Sequence, residues 1–247
     1  MAAADAALQV LDDPAAVALA AAQATADALA EAVERRGSAT WALTGGSTPL
    51  AAYRLLAAGT PGSPVPWPRL RLAMGDERLV PEDDPGSNWG QAAAALLDHV
   101  PVPPAGRLQP RTWLPPEEAA ADYERRLRAL PAAASGWPLL DLVWLGVGED
   151  GHCLSLFPGH PELDVTDRLV VAVRGAPKPP PDRISLTLPA LRGTAGCLVV
   201  AVGAGKAAAL ARALAGDRRL PVSRAVAEVA AAGGSVTWLL DRAAAGG

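Results

Sequence analysis

The sequence predicts an α/β fold: an open, largely parallel sheet with helices on both faces. Short apolar strands alternate with helical segments, at 39–44 and 49–58 and again at Leu70–Met74 and 88–100. Crossover helices of this kind join parallel strands and cover both faces of their sheet. The 247 residues contain no internal repeat and no long linker. One domain over residues 1–247 is therefore expected, with a sizeable core.

Each element has a local signal. Pro14–Arg36 combines strong helix formers with a proline at its start, and Gly37 ends it. In the helix predicted at 117–130, Glu117 and Glu118 lie near the positive end of the helix dipole. A Pro-rich loop is predicted at 101–116. Further strands are predicted at 139–145, 169–173, 183–187, 197–202 and 235–240, with a helix at 206–215.

Composition and charge limit the function classes. The net charge of −4 gives no general attraction to nucleic acid or to an anionic membrane. Four polar residues interrupt the Ala-rich stretch 14–33, so we expect a surface helix there and not a membrane span. Residues 1–7 lack the basic start of a signal peptide. Cys153 and Cys197 fit a reducing compartment, and the cytoplasm is the expected location.

Unusual polar residues follow three of the predicted strands directly. These segments are 45–48, 75–78 and 146–152. In open α/β sheets, ligands bind beyond the carboxyl ends of the strands. The three segments are therefore candidates for one shared site.

The segment Gly45-Gly46-Ser47-Thr48 fits a phosphate. Its glycines permit a tight turn, and hydroxyl and N–H groups gather where a helix begins. An ordinary turn with Ser or Thr as the helix N-cap is an equal alternative. Lys206 also lies at a predicted helix start, where it could donate to a phosphate. A solvated surface lysine is an equal alternative.

Asp150 and His152 form a candidate acid–base pair. An Asp beside a histidine orients the imidazole while the ring takes a proton from water. An unrelated surface histidine is the alternative. A dinucleotide loop at 146–151 is rejected, because Pro158 and Pro161 leave no room for the helix that should follow. The histidines and cysteines lack the spacing of a zinc site, so no metal is expected.

Three further cations follow or open predicted strands or lie in loops between them. Each of them could bind a dianion, although each alone is more often a surface residue. They are Arg78, Lys178 and Arg183.

Taken together, these segments resemble the superfamily of 6-phosphogluconolactonases and glucosamine-6-phosphate isomerases/deaminases, and within it the lactonases. The resemblance covers nearly the whole chain and lies in ordered blocks. The blocks are Leu43-Thr44-Gly45-Gly46-Ser47-Thr48-Pro49, Gly75-Asp76-Glu77-Arg78, Asp84-Pro85-Gly86-Ser87-Asn88, 148–152 with 155–160, and 177–191.

The resemblance implies a Rossmann-like sheet and a site. His152 would be the general base on water, Asp150 its orienting partner, and Asp76 and Arg78 would line the same pocket. The 6-phosphate of a sugar would be held by cations and the glycine loop. Those residues would be Gly45, Gly46, Ser47, Thr48, Arg183 and Lys206.

The implied reaction is hydrolysis of 6-phospho-D-glucono-1,5-lactone, a small sugar phosphate lactone of the pentose phosphate pathway. Arg78 is the candidate for stabilising the oxyanion. No cofactor is expected, and the protein is expected to be a monomer or homodimer. Glu149 stands where the lactonases commonly have Pro, and Cys153-Leu154 replaces a Thr-Ala pair. These departures leave the reacting groups in place.

Two alternative functions stay open. The first is an amino-sugar-phosphate isomerase or deaminase, opposed by Phe157, which stands where those relatives carry a ring-opening Glu. The second is a sugar-phosphate sensor without catalysis. A sensor would ordinarily carry a DNA-binding domain, for which no segment before Pro14 is long enough.

Overall fold

A seven-stranded parallel sheet forms the centre of the molecule, and a separate three-stranded antiparallel sheet lies at one side of the site. The computed structural model describes residues 7–59 and 63–247. The strands are β1 (Ala7–Leu11), β2 (Ala39–Leu43), β3 (Leu70–Met74), β4 (Asp76–Arg78), β5 (Arg107–Leu108), β6 (Leu142–Gly146), β7 (Val170–Val173), β8 (Arg183–Leu186), β9 (Gly196–Ala201) and β10 (Ser235–Asp241).

Six α-helices lie within these described ranges. They are α1 (Pro14–Arg36), α2 (Ser47–Ala57), α3 (Asn88–Ala95), α4 (Pro116–Arg128), α5 (Ala207–Leu214) and α6 (Pro221–Ala231). Short 3₁₀ turns lie at Trp67–Arg69, Leu97–His99, Pro104–Gly106, Pro161–Asp164, Leu188–Gly193 and Ala204–Lys206.

The strand order of the large sheet creates a crevice. The order is β1-β10-β9-β6-β2-β3-β5, and every neighbouring pair is parallel. From β2 the chain moves outward to β3 and β5, and it then returns to place β6 on the other side of β2. The connections after β2 and β6 therefore diverge. Such a reversal of strand order opens a ligand crevice at the carboxyl ends of the two strands.

Alternate side chains of each strand belong to different cores, because successive residues point to opposite faces of a sheet. In β2, Trp41 and Leu43 pack among the side chains of α1, α2 and α3, whereas Ala42 packs with residues of α4, α5 and α6. The rings of Trp41, Tyr53 and Trp144 pack with centroids 5.4 to 5.7 Å apart. The prediction of helices on both faces is therefore confirmed.

Two buried tyrosines fix the strand ends that precede the site. The hydroxyl of Tyr53 donates to the carbonyl of Thr44 at 2.9 Å and accepts from its N–H at 3.0 Å. Tyr123 makes the same pair of bonds with Met74, at 2.9 and 2.6 Å. The two hydroxyls satisfy backbone groups where the ladders end, and they tie α2 and α4 to the ends of β2 and β3.

Helix α1 is long and apolar enough to cross a membrane by length and composition. In this structure it covers the sheet. Asp13 caps its start by accepting from the N–H of Ala16, and Gly37 ends it in the left-handed conformation. Its side chains at Val17, Ala21 and Leu29 are fully buried. The helix lies on the molecular surface with one face in the core, as predicted.

A second, smaller sheet that was not predicted adds to the predicted open parallel sheet. The strands near 169–173 and 183–187 are β7 and β8, and they pair antiparallel with each other and with β4 in the order β4-β8-β7. The polar segment 75–78, for which no secondary structure was predicted, contains β4. Apolar runs identify strands but carry no information about which sheet the strands enter.

Several boundaries also differ. Helix α2 begins at Ser47 and not at Pro49, with Gly46 as N-cap and no side-chain cap, so the Ser or Thr cap is excluded. Helix α3 ends at Ala95, and a 3₁₀ turn continues to His99. Strands β1 and β5 and helix α6 were not predicted, although Pro221 at the first turn of α6 is a start signal.

Candidate active site

One cavity of about 280 Å³ lies at the carboxyl ends of β2 and β6. Nine of the predicted site residues line it, and Asp150 contacts one of them, His152. The structure therefore brings together segments that lie as much as 161 residues apart in the chain, from Gly45 to Lys206. The lining includes Gly45, Gly46, Ser47, Thr48, Asp76, Arg78, His152, Arg183 and Lys206.

His152 and Asp150 lie in the tight loop that follows β6. Oδ1 of Asp150 lies 2.5 Å from Nδ1 of His152 and also accepts from the His152 backbone N–H at 3.2 Å. Gly148 makes this approach possible, since a Cβ there would lie 2.0 Å from Nδ1. The loop is closed by the N–H of Gly148, which donates to the carbonyl of His152, and Gly151 has a φ of +83°.

The first turn of α6 packs against this loop at Gly151. The N–H of Val222 donates to the carbonyl of Gly151 at 3.2 Å. Leu220 is buried against Gly151, where a Cβ would lie 2.8 Å from a methyl carbon of the leucine. No α-helix follows the loop before Pro158, as expected when the dinucleotide interpretation is rejected.

The electrostatics favour a neutral His152. Burial lowers the pKa of the ring below its ordinary value, although the hydrogen bond and charge of Asp150 act in the opposite direction. Burial raises the pKa of Asp150, but its hydrogen bonds and charge interaction with His152 outweigh burial, and the net pKa is lowered. An ionised carboxylate only accepts, so the proton of the neutral ring lies on Nδ1 and Nε2 keeps its lone pair.

Phe157 packs beneath this pair. Its ring centroid lies 4.7 Å from that of His152, and the guanidinium of Arg183 lies 5.7 Å from the Phe157 centroid. The phenylalanine is 1% exposed. An aromatic hydrocarbon here orients the imidazole by contact and supplies no proton donor or acceptor of its own.

Asp76 and Arg183 form a buried charge pair joined through Ser155. Oγ of Ser155 donates to Oδ2 of Asp76 at 2.6 Å and accepts from Nη1 of Arg183 at 3.3 Å. Burial lowers the pKa of Arg183, and Asp76 raises it. Strands β4 and β8 pair in a register that sets Asp76 opposite Ser185. This pairing brings the carboxylate of Asp76 close to the guanidinium of Arg183.

Arg183 also holds the loop above it. Nε donates to the carbonyl of Pro180 at 2.9 Å, and Nη2 donates to the carbonyl of Lys178 at 2.6 Å. All three guanidinium nitrogens therefore have protein acceptors. The predicted phosphate ligand is thus also a structural residue that fixes Lys178 at the cavity wall.

Arg78 lies at the same wall as Asp76. Its Nη1 donates to the carbonyl of Gly86 at 2.7 Å. Beside it, Glu77 is fully buried and accepts from the N–H groups of Arg78, Asn88 and Trp89 at 2.6 to 2.8 Å. Burial raises the pKa of Glu77 to about 7, against the effect of these hydrogen bonds. Glu77 thus anchors the start of α3 next to the cavity.

The glycine loop and Lys206 also line the cavity. Gly46 has a φ of +104°, and a Cβ on Gly45 would lie 1.9 Å from Oδ1 of Asn88. Both positions therefore require glycine. Lys206 lies at the N-cap of α5. Burial and the charge of Lys178 lower the pKa of Lys206, whereas the charge of Glu149 raises it.

Ten of the nineteen lining residues were not among the predicted site residues. Lys178 was considered only as one cation among three, and Glu149 only as a departure. Asn88 was part of a resembling block without a role. A positional signal existed for each, because all of them lie in segments that follow or adjoin the carboxyl end of a strand. The other unpredicted lining residues are Thr44, Pro49, Gly146, Val147, Gly148, Leu154 and Val200.

Other chemistries find little support in the described ranges, 7–59 and 63–247. Cys153 and Cys197 are buried and free, and burial raises the pKa of both thiols. Thiols in that state are poor nucleophiles. Within the same ranges no group of three His, Cys, Asp or Glu residues could hold a metal ion.

Residues 12–238 match the family described as glucosamine-6-phosphate isomerases/6-phosphogluconolactonase. The chain belongs to this family, which confirms the resemblance inferred from the ordered blocks. It is 40% identical to the 6-phosphogluconolactonase of Rattus norvegicus over 240 residues, covering 96% of this chain and 92% of that protein. It is 42% identical to the 6-phosphogluconolactonase of Streptomyces coelicolor over 224 residues, covering 88% and 85%.

A solved structure extends this similarity to the fold. The crystal structure of 6-phosphogluconolactonase from Thermotoga maritima superposes with a TM-score of 0.82 at 27% identity. The match covers 96% of this chain and 100% of that one. The open α/β fold and the family membership therefore rest on independent observations.

Proposed function

We propose that this chain hydrolyses 6-phospho-D-glucono-1,5-lactone to 6-phosphogluconate, with water activated by His152. The observation that carries the proposal is a single cavity with a neutral imidazole at one part and a glycine loop with Lys206 at another. Relatives at 40 to 42% identity are 6-phosphogluconolactonases. The proposal includes one domain over residues 1–247, acting in the cytoplasm as a monomer or homodimer.

Substrate binding begins with the phosphate. The N–H groups at the start of α2, the hydroxyls of Ser47 and Thr48 and the ammonium of Lys206 offer donors to a dianion. When these donors bind the phosphate, the lactone carbonyl is held near His152. Binding energy from the far end of the sugar thereby lowers the entropy cost of the reaction.

His152 then acts as a general base. Nε2 takes a proton from water while the water oxygen attacks the C1 carbonyl, and a tetrahedral oxyanion forms. Asp150 stabilises the resulting imidazolium and keeps the ring in one tautomer. The C1–ring oxygen bond breaks, and His152 returns its proton to the departing ring oxygen. The products are the open-chain acid and the neutral imidazole.

The developing negative charge needs a cation. Arg78 is the proposed group, since its bond to Gly86 holds the guanidinium at the cavity wall before substrate arrives. A positioned donor of this kind commonly contributes about 3 kcal/mol to transition-state stability. Asp76 keeps Arg183 and its loop in place and so shapes the same wall.

A coupled assay with freshly generated lactone tests the proposal. Wild-type protein should accelerate hydrolysis above the spontaneous rate, which must be subtracted. His152→Ala should lower kcat by at least about 100-fold with little change in the affinity for 6-phosphogluconate. His99→Ala is the matched control, because His99 lies in the turn after α3 and only bonds the carbonyl of Ala94.

Two outcomes contradict the proposal. Near-normal hydrolysis by His152→Ala would refute the role of this histidine. Release of ammonia from glucosamine 6-phosphate, with no lactone hydrolysis, would favour the isomerase or deaminase. The buried Phe157 opposes that second activity, because it cannot move a proton during ring opening.

A further inference from the structure

Glu149 is a carboxylate inside a cavity that is proposed to bind an anion. It lies in the loop after β6, directly before Asp150, and it lines the cavity together with Lys206. Its carboxyl group packs on the next glycine-rich turn, since a Cβ on Gly205 would lie 2.8 Å from Oε1 of Glu149. The absence of a side chain at Gly205 is therefore what admits the carboxylate beside Lys206.

The charge of Glu149 acts on Lys206. Burial lowers the pKa of Lys206, and Glu149 is the carboxylate that opposes this most strongly. Lys178, which also lines the cavity, lowers the pKa of both Lys206 and His152. Among the described residues, Lys206 has no carboxylate within 4 Å. The charge of Glu149 thus acts on Lys206 without a direct salt bridge between the carboxylate and the ammonium.

A carboxylate in this place has two opposing effects on a ligand. It keeps Lys206 protonated, which helps a phosphate to bind. It also repels the two negative charges of a phosphate bound in the same cavity, where salt screens partly buried charges only weakly. Glu149 repels both negative charges of the phosphate, whereas it acts on only one positive charge at Lys206, so the repulsion dominates.

We propose that Glu149 is the internal counter-ion of Lys206 in the free protein and that it weakens binding of the substrate phosphate at this cavity. The inference rests on the proposed function, in which Lys206 receives the phosphate. Substrate must displace the charge interaction between Glu149 and Lys206 before it gains its own. Glu149 therefore sets the affinity for phosphorylated ligands and favours release of the doubly anionic product.

The test is the binding of 6-phosphogluconate, measured by calorimetry at pH 7 with Glu149→Gln. Glutamine keeps the length and the contact with Gly205 but removes the charge. We expect the Kd to fall about three- to tenfold, and KM for the lactone to fall with it while kcat changes less than twofold. Glu34→Gln is the matched control, since Glu34 is exposed on α1 and makes the same change in net charge.

A second measurement separates charge from packing. The pKa of the Lys206 ammonium, followed by NMR of labelled lysine, should be lower in Glu149→Gln than in wild type. The gain in affinity should also be smaller when Glu149→Gln is combined with Lys206→Met, because only the direct repulsion of the phosphate is then relieved. A purely structural role for Glu149 would change neither the Lys206 pKa nor this coupling.

The outcomes distinguish this inference from the function on which it rests. If wild type hydrolyses the lactone but Glu149→Gln binds 6-phosphogluconate equally well or more weakly, the counter-ion role is overturned and the lactonase proposal stands. Weaker binding would indicate that Glu149 holds a sugar hydroxyl. If wild type neither binds 6-phosphogluconate nor hydrolyses the lactone, both proposals fail.

Discussion

Replacing Gly148 by alanine should disable His152 without touching its chemistry. Gly148 has no positive φ, so its backbone accepts an alanine without strain of its own. A Cβ there would, however, lie 2.0 Å from Nδ1 of His152 and 2.6 Å from Oδ1 of Asp150. The added methyl group and the hydrogen-bonded pair cannot occupy the same space.

The size of the effect follows from these distances. Non-bonded heavy atoms in contact are about 3.5 Å apart, so the ring or the loop must move by more than about 1 Å. A misplacement of about 1 Å in a catalytic group costs about 100-fold in rate. Overpacking of this kind also destabilises by about 1 to 3 kcal/mol, which leaves the protein folded at assay temperature.

The coupled lactone assay measures this loss, and thermal unfolding checks that the variant is folded. The matched control is Gly196→Ala at the start of β9, where a Cβ would meet its nearest atom at an ordinary 3.4 Å. That position is at the opposite end of the parallel strands from the cavity. A folded Gly148→Ala protein with kcat within about threefold of wild type would refute the reasoning.

Three further variants test the site. Asp150→Asn should lower kcat by at least about 100-fold and should move the acid limb of kcat/KM to lower pH, because Asp150 raises the pKa of His152; a limb that moves to higher pH would contradict this account. Lys206→Ala should raise KM by about 10- to 100-fold, with a smaller change in kcat, because a charge-assisted hydrogen bond to the phosphate is lost. Arg183→Ala should also weaken phosphate binding, and it should cost about 3 kcal/mol of stability in urea unfolding because Asp76 is left buried without its cation. Unchanged unfolding by this last variant would show that the pair is not structural.

Local patterns were sufficient for much of the site. The spacing Asp150-x-His152 puts both side chains in one tight loop, where they contact each other at 2.5 Å. The glycines at 45 and 46 indicated a turn that a side chain would block, and the structure gives Gly46 a φ of +104°. Such features depend on a few neighbouring residues, so the sequence reports them directly.

The roles of individual cavity residues were harder to predict from the sequence. Arg183 was predicted as a phosphate ligand, and no local pattern indicated that its nitrogens donate to the carbonyls of Lys178 and Pro180. Glu77 was part of a resembling block without a function, yet it is buried against three N–H groups at the start of α3. Burial of a charged side chain depends on which distant elements cover it.

By itself, the sequence determined the strand–helix alternation, the helix ends at Pro14 and Gly37, and the polar loops that follow the strands. Only the tertiary structure decided that β7 and β8 leave the parallel sheet to pair with β4, and that β6 returns beside β2. Backbone propensity and capping act over a few residues, whereas strand order depends on which apolar faces are buried together. That long-range choice is what joins the loops after β2 and β6 in one cavity.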